Sequence, residues 1–159
     1  MLADVLNILS LLNNVEKSHA QKTALVHEGE TITFEQLHVQ SNKLANYLKS
    51  KGVNTDAPLC FCLDQSIEKV VVMLSVWKAG GAYVSLDPLY PDARLQHIVD
   101  DTDSPVLITT KAFSDKFPWY NGEIILIDEQ RDEIEEEANE LLYSDYEEGL
   151  AYLAYTSGS

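Results

Sequence analysis

Apolar positions along the chain follow two alternating periods. Residues 23–27 and 31–33 form short β-type runs on either side of Glu28-Gly29-Glu30, a pattern that predicts a hairpin turning at Gly29. Thr33 and Gln36 then have the spacing of a capping box, and Leu37, Leu44, Ala45 and Leu48 line one face of the helix that follows. Gly52, just after three polar residues that include Lys49 and Lys51, ends it. Residues 59–63 are continuously apolar and read as a buried strand. Ser66 opens a second helix through Val70, Met73, Leu74 and Trp77, which stops at Gly80-Gly81. Residues 82–86 form another strand, broken by Asp87-Pro88. Pro91 suits the first turn of a third helix bearing Leu95, Ile98 and Val99. Residues 105–109, 123–127 and 150–155 read as further strands, and the N-terminal Leu2, Val5, Leu6 and Leu9 have helical spacing.

Strands that alternate with helices and are apolar throughout, not at every second residue, predict an α/β fold: a mostly parallel sheet flanked by helices. With 159 residues and no repeat or low-complexity linker, residues 1–159 read as a single α/β unit.

Composition narrows the function. A formal charge of −15 opposes binding to nucleic acid and to anionic membranes. The apolar run at 70–77 is far shorter than the ~20 residues of a membrane helix, and the N-terminus lacks the basic start of a signal peptide. Cys60 and Cys62, two residues apart, share one strand face and read as buried core thiols. Two unpaired cysteines fit a reducing, cytoplasmic compartment. His19, His27, His38 and His97 have no paired spacing that suggests metal ligation or base catalysis. Asp100, Asp101 and Asp103 read as a solvated helix end, and the nine acids between 131 and 148 as a solvated helix and loop.

The chemistry concentrates at the C-terminal end. Thr156-Ser157-Gly158-Ser159 follows the run at 150–155. A strand that leads into hydroxyls and a glycine is how α/β proteins offer N–H and O–H donors to phosphate, although the same four residues also suit a plain turn. There is neither a Walker lysine nor a GxGxxG.

Three motifs in order go further. The segment Val76-Trp-Lys-Ala-Gly-Gly-Ala-Tyr-Val-Ser-Leu-Asp-Pro88, continuing through Tyr90-Pro91 to Arg94, resembles the second core motif of the amino-acid adenylation domains of non-ribosomal peptide synthetases. These belong to the adenylate-forming ligases, together with acyl-CoA synthetases and luciferases. Thr31-Ile-Thr-Phe-Glu-Gln-Leu37 is similar to their first core motif, and Leu153-Ala-Tyr-Thr-Ser-Gly-Ser159 to the opening of their third, a phosphate loop. Ser85 stands where the family usually has proline.

The resemblance implies the N-terminal portion of an adenylate-forming large subdomain that ends inside the phosphate loop. It implies a parent reaction in which Mg-ATP and an amino acid give an aminoacyl-adenylate, and the acyl group then passes to the phosphopantetheine thiol of a peptidyl carrier protein. Thr156, Ser157, Gly158 and Ser159 are the positions that match nucleotide-binding residues. No position here matches a catalytic or metal-ligating one, and the amino-acid pocket and catalytic lysine of the family lie downstream. Lys78, Gly80, Gly81, Asp87, Pro88 and Arg94 are expected to fix helix–strand packing and not to touch substrate. Two functions follow as expectations. One is an adenylation-domain fragment, inactive alone. The other is a non-catalytic interaction module that pairs, through an open sheet edge after Tyr155, with a C-terminal half, a carrier protein or a related synthetase.

Overall fold

A computed structural model describes residues 8–142 and 149–155. Helix α1 (Ile8–His19) is followed by a hairpin of β1 (Thr23–His27) and β2 (Glu30–Thr33), helix α2 (Phe34–Ser50) and strand β3 (Pro58–Cys62). Helix α3 (Ile67–Lys78), β4 (Ala82–Leu86), α4 (Asp92–Thr102) and β5 (Val106–Thr109) come next. The short α5 (Lys111–Ser114), β6 (Glu123–Leu126) and α6 (Arg131–Glu135) complete the named elements.

Local chemistry sets several boundaries. Glu28 and Gly29 both have positive φ, 48° and 88°, which gives a two-residue turn whose twist matches the hairpin. Thr33 Oγ1 accepts from Gln36 N at 3.2 Å, and Gln36 Oε1 accepts from Thr33 N at 2.9 Å, so the capping box is complete. Ser66 Oγ caps α3 by accepting from Lys69 N at 3.1 Å. Pro91 lies one residue before α4, in the capping position, and not in its first turn; its carbonyl accepts from Arg94 N and Leu95 N.

The main sheet is parallel, in the order β4-β3-β5-β6. Its central strand alternates between two cores. Leu59, Phe61 and Leu63 join the core under α2 and α3, while Cys60 and Cys62 join the core with Leu95, Ile98 and Val99 of α4. The two free thiols therefore share a face, as their spacing predicts. Burial raises the pKa of both, that of Cys62 to about 12, so neither is a ready nucleophile at neutral pH.

Two expectations change. Residues 150–155 do not form a full strand. They make one parallel bridge, Tyr152 to Tyr83, on the outer side of β4, and Leu150 and Tyr152 are exposed. Their apolar composition reads as buried, but among the described residues nothing covers that edge; the open edge expected after Tyr155 lies outside the described residues.

The acidic segment is also more than a solvated face. Lys43 pairs with Glu135 at 2.8 Å, and Tyr47 OH donates to Glu133 at 2.9 Å. Asn42 Nδ2 donates to the carbonyl of Asn139, Asn46 Nδ2 to those of Ala138 and Glu140, and Asn46 Oδ1 accepts from Leu142 N. The buried asparagines of α2 thus hold the backbone of this strap, and Lys43 and Tyr47 hold two of its carboxylates.

Candidate functional site

Sheet order singles out a candidate edge. The β3–α3–β4 crossover goes to one side of β3, and the β4–α4–β5 crossover returns to the other side. The connections therefore diverge between β3 and β5, and at such a switch point the carboxyl ends of the strands leave a crevice where α/β proteins bind ligands. Here a cavity of about 380 Å³ opens among α2, α3 and α6. Leu63 and Asp64 after β3, Ser66 before α3, Thr110 after β5 and Asp128 after β6 line it, with Leu44 and Ile134 on its apolar side.

The segment ending at Tyr155 runs along the outer side of β4. Its bridge to β4 is parallel, so the chain reaches Tyr155 travelling toward that same carboxyl edge. Two hydrogen bonds set the register: Tyr83 N donates to Ala151 O at 3.2 Å, and Leu153 N donates to Tyr83 O at 3.0 Å. Leu150 N donates to Asp56 Oδ1 at 3.0 Å.

Side chains grip the segment from both faces of the sheet. On the α3 face, Trp77 Nε1 donates to Ala151 O at 2.6 Å, and the rings of Trp77, Tyr83 and Tyr152 follow one another at centroid spacings of 5.5 and 5.8 Å. On the α4 face, Leu153 and Tyr155 pack against the second core, and Tyr155 OH donates to Asp101 Oδ2 at 2.5 Å. Burial, and next the bond to Asp101, push the Tyr155 phenol up to about 12. Thr156, Ser157, Gly158 and Ser159, the expected phosphate-contacting residues, lie outside the described residues.

Gly81, Asp87, Arg94 and Lys78 of the second motif make packing or turn contacts, though not all as expected. Gly81 has no room for a side chain: a Cβ would stand 3.0 Å from Ala57 O and 3.1 Å from Leu59 Cδ1. Asp87 Oδ1 accepts from Leu89 N at 2.9 Å, closing the turn after β4. Arg94 stacks on the Tyr90 ring at 4.3 Å. Lys78 fixes helix to helix instead of helix to strand: its ammonium, buried between α3 and α2, donates to Ser41 Oγ at 2.7 Å, Asn42 Oδ1 at 2.8 Å and His38 O at 3.3 Å. With no carboxylate in that shell, burial lowers its pKa to about 8.

Sequence reasoning missed Trp77, Asp56 and Asp101 as partners of the terminal segment. Each contact spans 54 or more residues, and no local pattern reports it. Among the described residues, no group of three or more His, Cys, Asp or Glu side chains could hold a metal ion, and no helix is long and apolar enough to cross a membrane.

Known proteins agree with this arrangement. The family model of the AMP-binding enzymes matches residues 12–159. Gramicidin S synthase 2 of Brevibacillus brevis is 34% identical over 152 residues, covering 96% of this chain and 3% of that protein. Tyrocidine synthase 1 of Brevibacillus parabrevis is 35% identical over 155 residues, covering 96% of this chain and 14% of that protein. The chain thus spans a small part of the length of these relatives. The solved structure of VinN with 3-methylaspartate superimposes with a TM-score of 0.86 over 94% of this chain and 43% of that one, at 24% identity, which supports the fold. The chain belongs to the AMP-binding enzyme family, the adenylate-forming ligases, and its homologues are non-ribosomal peptide synthetases.

Proposed function

We propose that this chain supplies the N-terminal part of an amino-acid-activating adenylation domain and presents Thr156, Ser157, Gly158 and Ser159 to the phosphates of ATP. One observation carries the reading: the chain runs parallel to β4 toward the carboxyl edge of the sheet and is followed at once by those four residues. The donor set suits a polyphosphate, since three hydroxyls can donate to its oxygens and a glycine lets backbone N–H groups approach. Mg²⁺ would accompany ATP in the parent enzyme. ATP supplies the activated phosphorus to which the amino-acid carboxylate adds, with pyrophosphate leaving.

In the complete enzyme the acyl group would pass to the phosphopantetheine thiol of a carrier protein. The amino-acid pocket and catalytic lysine would come from residues beyond this chain, so residues 1–159 alone would be inactive. Buried, unpaired Cys60 and Cys62 fit a cytoplasmic setting.

The test is ATP–pyrophosphate exchange. The full protein that carries this chain is expected to catalyse exchange that depends on one amino acid, while the purified 159-residue chain shows none. Exchange by the 159-residue chain alone contradicts the inactive-fragment reading. No exchange by the full protein, with any amino acid, contradicts the adenylation reading itself.

The exposed outer side of residues 150–155, with Leu150 and Tyr152 uncovered, favours a second reading in which this edge pairs with a separately encoded C-terminal half. Co-purification of such a half with restored exchange would support it. A strictly monomeric chain with no partner would count against it.

A further inference from the structure

We infer that Asp101 is a positioning residue for the phosphate loop and acts through Tyr155. The inference rests on the proposed use of Thr156–Ser159 for ATP. Tyr155 is the last described residue before that loop, and among the described residues the last backbone bond that sets the register against β4 lies two residues earlier, at Leu153. What ties Tyr155 down is its side chain, whose ring joins the second core and whose hydroxyl donates to Asp101 Oδ2 at 2.5 Å. The bond is direct, so it fixes where the phenol and the backbone of Tyr155 sit.

Asp101 is itself held on a rigid element. It lies in the last turn of α4, flanked by Thr102, whose hydroxyl donates back to Ile98 O, and two residues after buried Val99. The carboxylate is thus fixed relative to the sheet by a helix packed on the core. This bond separates Asp101 from an ordinary solvated helix end.

At the other end of the segment, Trp77 of α3 anchors Ala151 from the opposite face of the sheet. The two anchors straddle the edge segment, and the one nearer the loop is Asp101. Phosphate binding needs its donors held within a fraction of an ångström, so the entropy of ordering the loop is lowest when the residue before it is already pinned. Loss of this contact should therefore weaken ATP use and leave amino-acid use untouched.

The test uses the full protein in pyrophosphate exchange, with ATP and amino acid varied separately. Asp101→Ala and Tyr155→Phe are each expected to raise the KM for ATP about tenfold, with the KM for amino acid unchanged. The double variant should be no worse than either single one, because the two side chains act as a unit. Asp101→Asn, whose amide oxygen can still accept from the phenol, should restore the ATP KM to within about twofold of the unsubstituted protein. A merely structural contact would lower the melting temperature without separating the two KM values. An ATP KM unchanged in both Asp101→Ala and Tyr155→Phe overturns this inference and leaves the family reading intact. Absence of exchange by the unsubstituted protein overturns both.

Discussion

Replacing Phe61 by alanine is expected to cost the fold about 3–5 kcal/mol, a large share of the roughly 5–15 kcal/mol typical of a domain. Phe61 sits in the middle of the central strand, fully buried, with the ring of Tyr83 5.8 Å away and the ammonium of Lys69 6.0 Å from its own ring. β4 on one side and β5 on the other fix its backbone, so neighbouring chain cannot collapse into the space an alanine would leave. Phe61→Leu keeps most of the volume and should cost far less, under about 1.5 kcal/mol. Urea unfolding of both variants checks this: the midpoint should fall steeply for alanine and little for leucine. Equal, small shifts would mean that the core under α2 and α3 repacks freely.

The second large effect is on pH dependence. Lys78 is buried among neutral oxygens, and its ammonium lets go of its proton near pH 8 in the folded protein instead of near 10.5. Between those values the unfolded chain binds more protons than the folded one, so this lysine makes stability rise with pH across that window. Below about pH 8 both states are charged, and the cost of burying the charge is present in full. Cys60 and Cys62 work in the opposite direction above their ordinary value of 9, because burial raises both, and the raised tyrosines do so above 10. A comparison with Lys78→Met isolates the lysine. The stability of the methionine variant relative to the unsubstituted chain should be greatest at about pH 7. It should then decline by on the order of 3 kcal/mol as pH approaches 10.5, the equivalent of the lysine's shift. Parallel stability curves for the two proteins would contradict a buried charged lysine. His38, whose carbonyl accepts from Lys78, has its own pKa lowered by burial first and by the nearby ammonium second.

How much of this was legible in the sequence depended on the distance over which each feature is encoded. The capping box at Thr33 and Gln36 and the cap at Ser66 lie within one helical turn of their partners, and both formed as read. The shared face of Cys60 and Cys62 follows from the two-residue period of a strand. Long-range polar contacts left no such trace. Asn42 and Asn46 bind the strap more than 90 residues away, and nothing near them in the chain reports it. Lys78 is expected from its motif to fix helix–strand packing, and only the packing of α3 against α2 reveals that it crosses to Ser41 and Asn42.

The run at 150–155 shows the reverse error. Its apolar composition predicts a buried strand, but composition does not report whether a neighbour is present to cover it, and here a single bridge forms. For the site, the order of three motifs pointed to nucleotide phosphates. What no local pattern revealed was the scaffold behind the loop: Trp77 on one face of the sheet and Asp101 on the other.

The central claim is that residues 156–159 contact the phosphates of ATP, and Gly158 tests it most directly. In the full protein, amino-acid-dependent pyrophosphate exchange measured across ATP concentrations should show the KM for ATP raised about tenfold or more by Gly158→Val. A side chain there would keep the backbone N–H groups from reaching phosphate oxygens. The KM for the amino acid should stay as it was. An ATP KM equal to that of the unsubstituted protein would contradict the account.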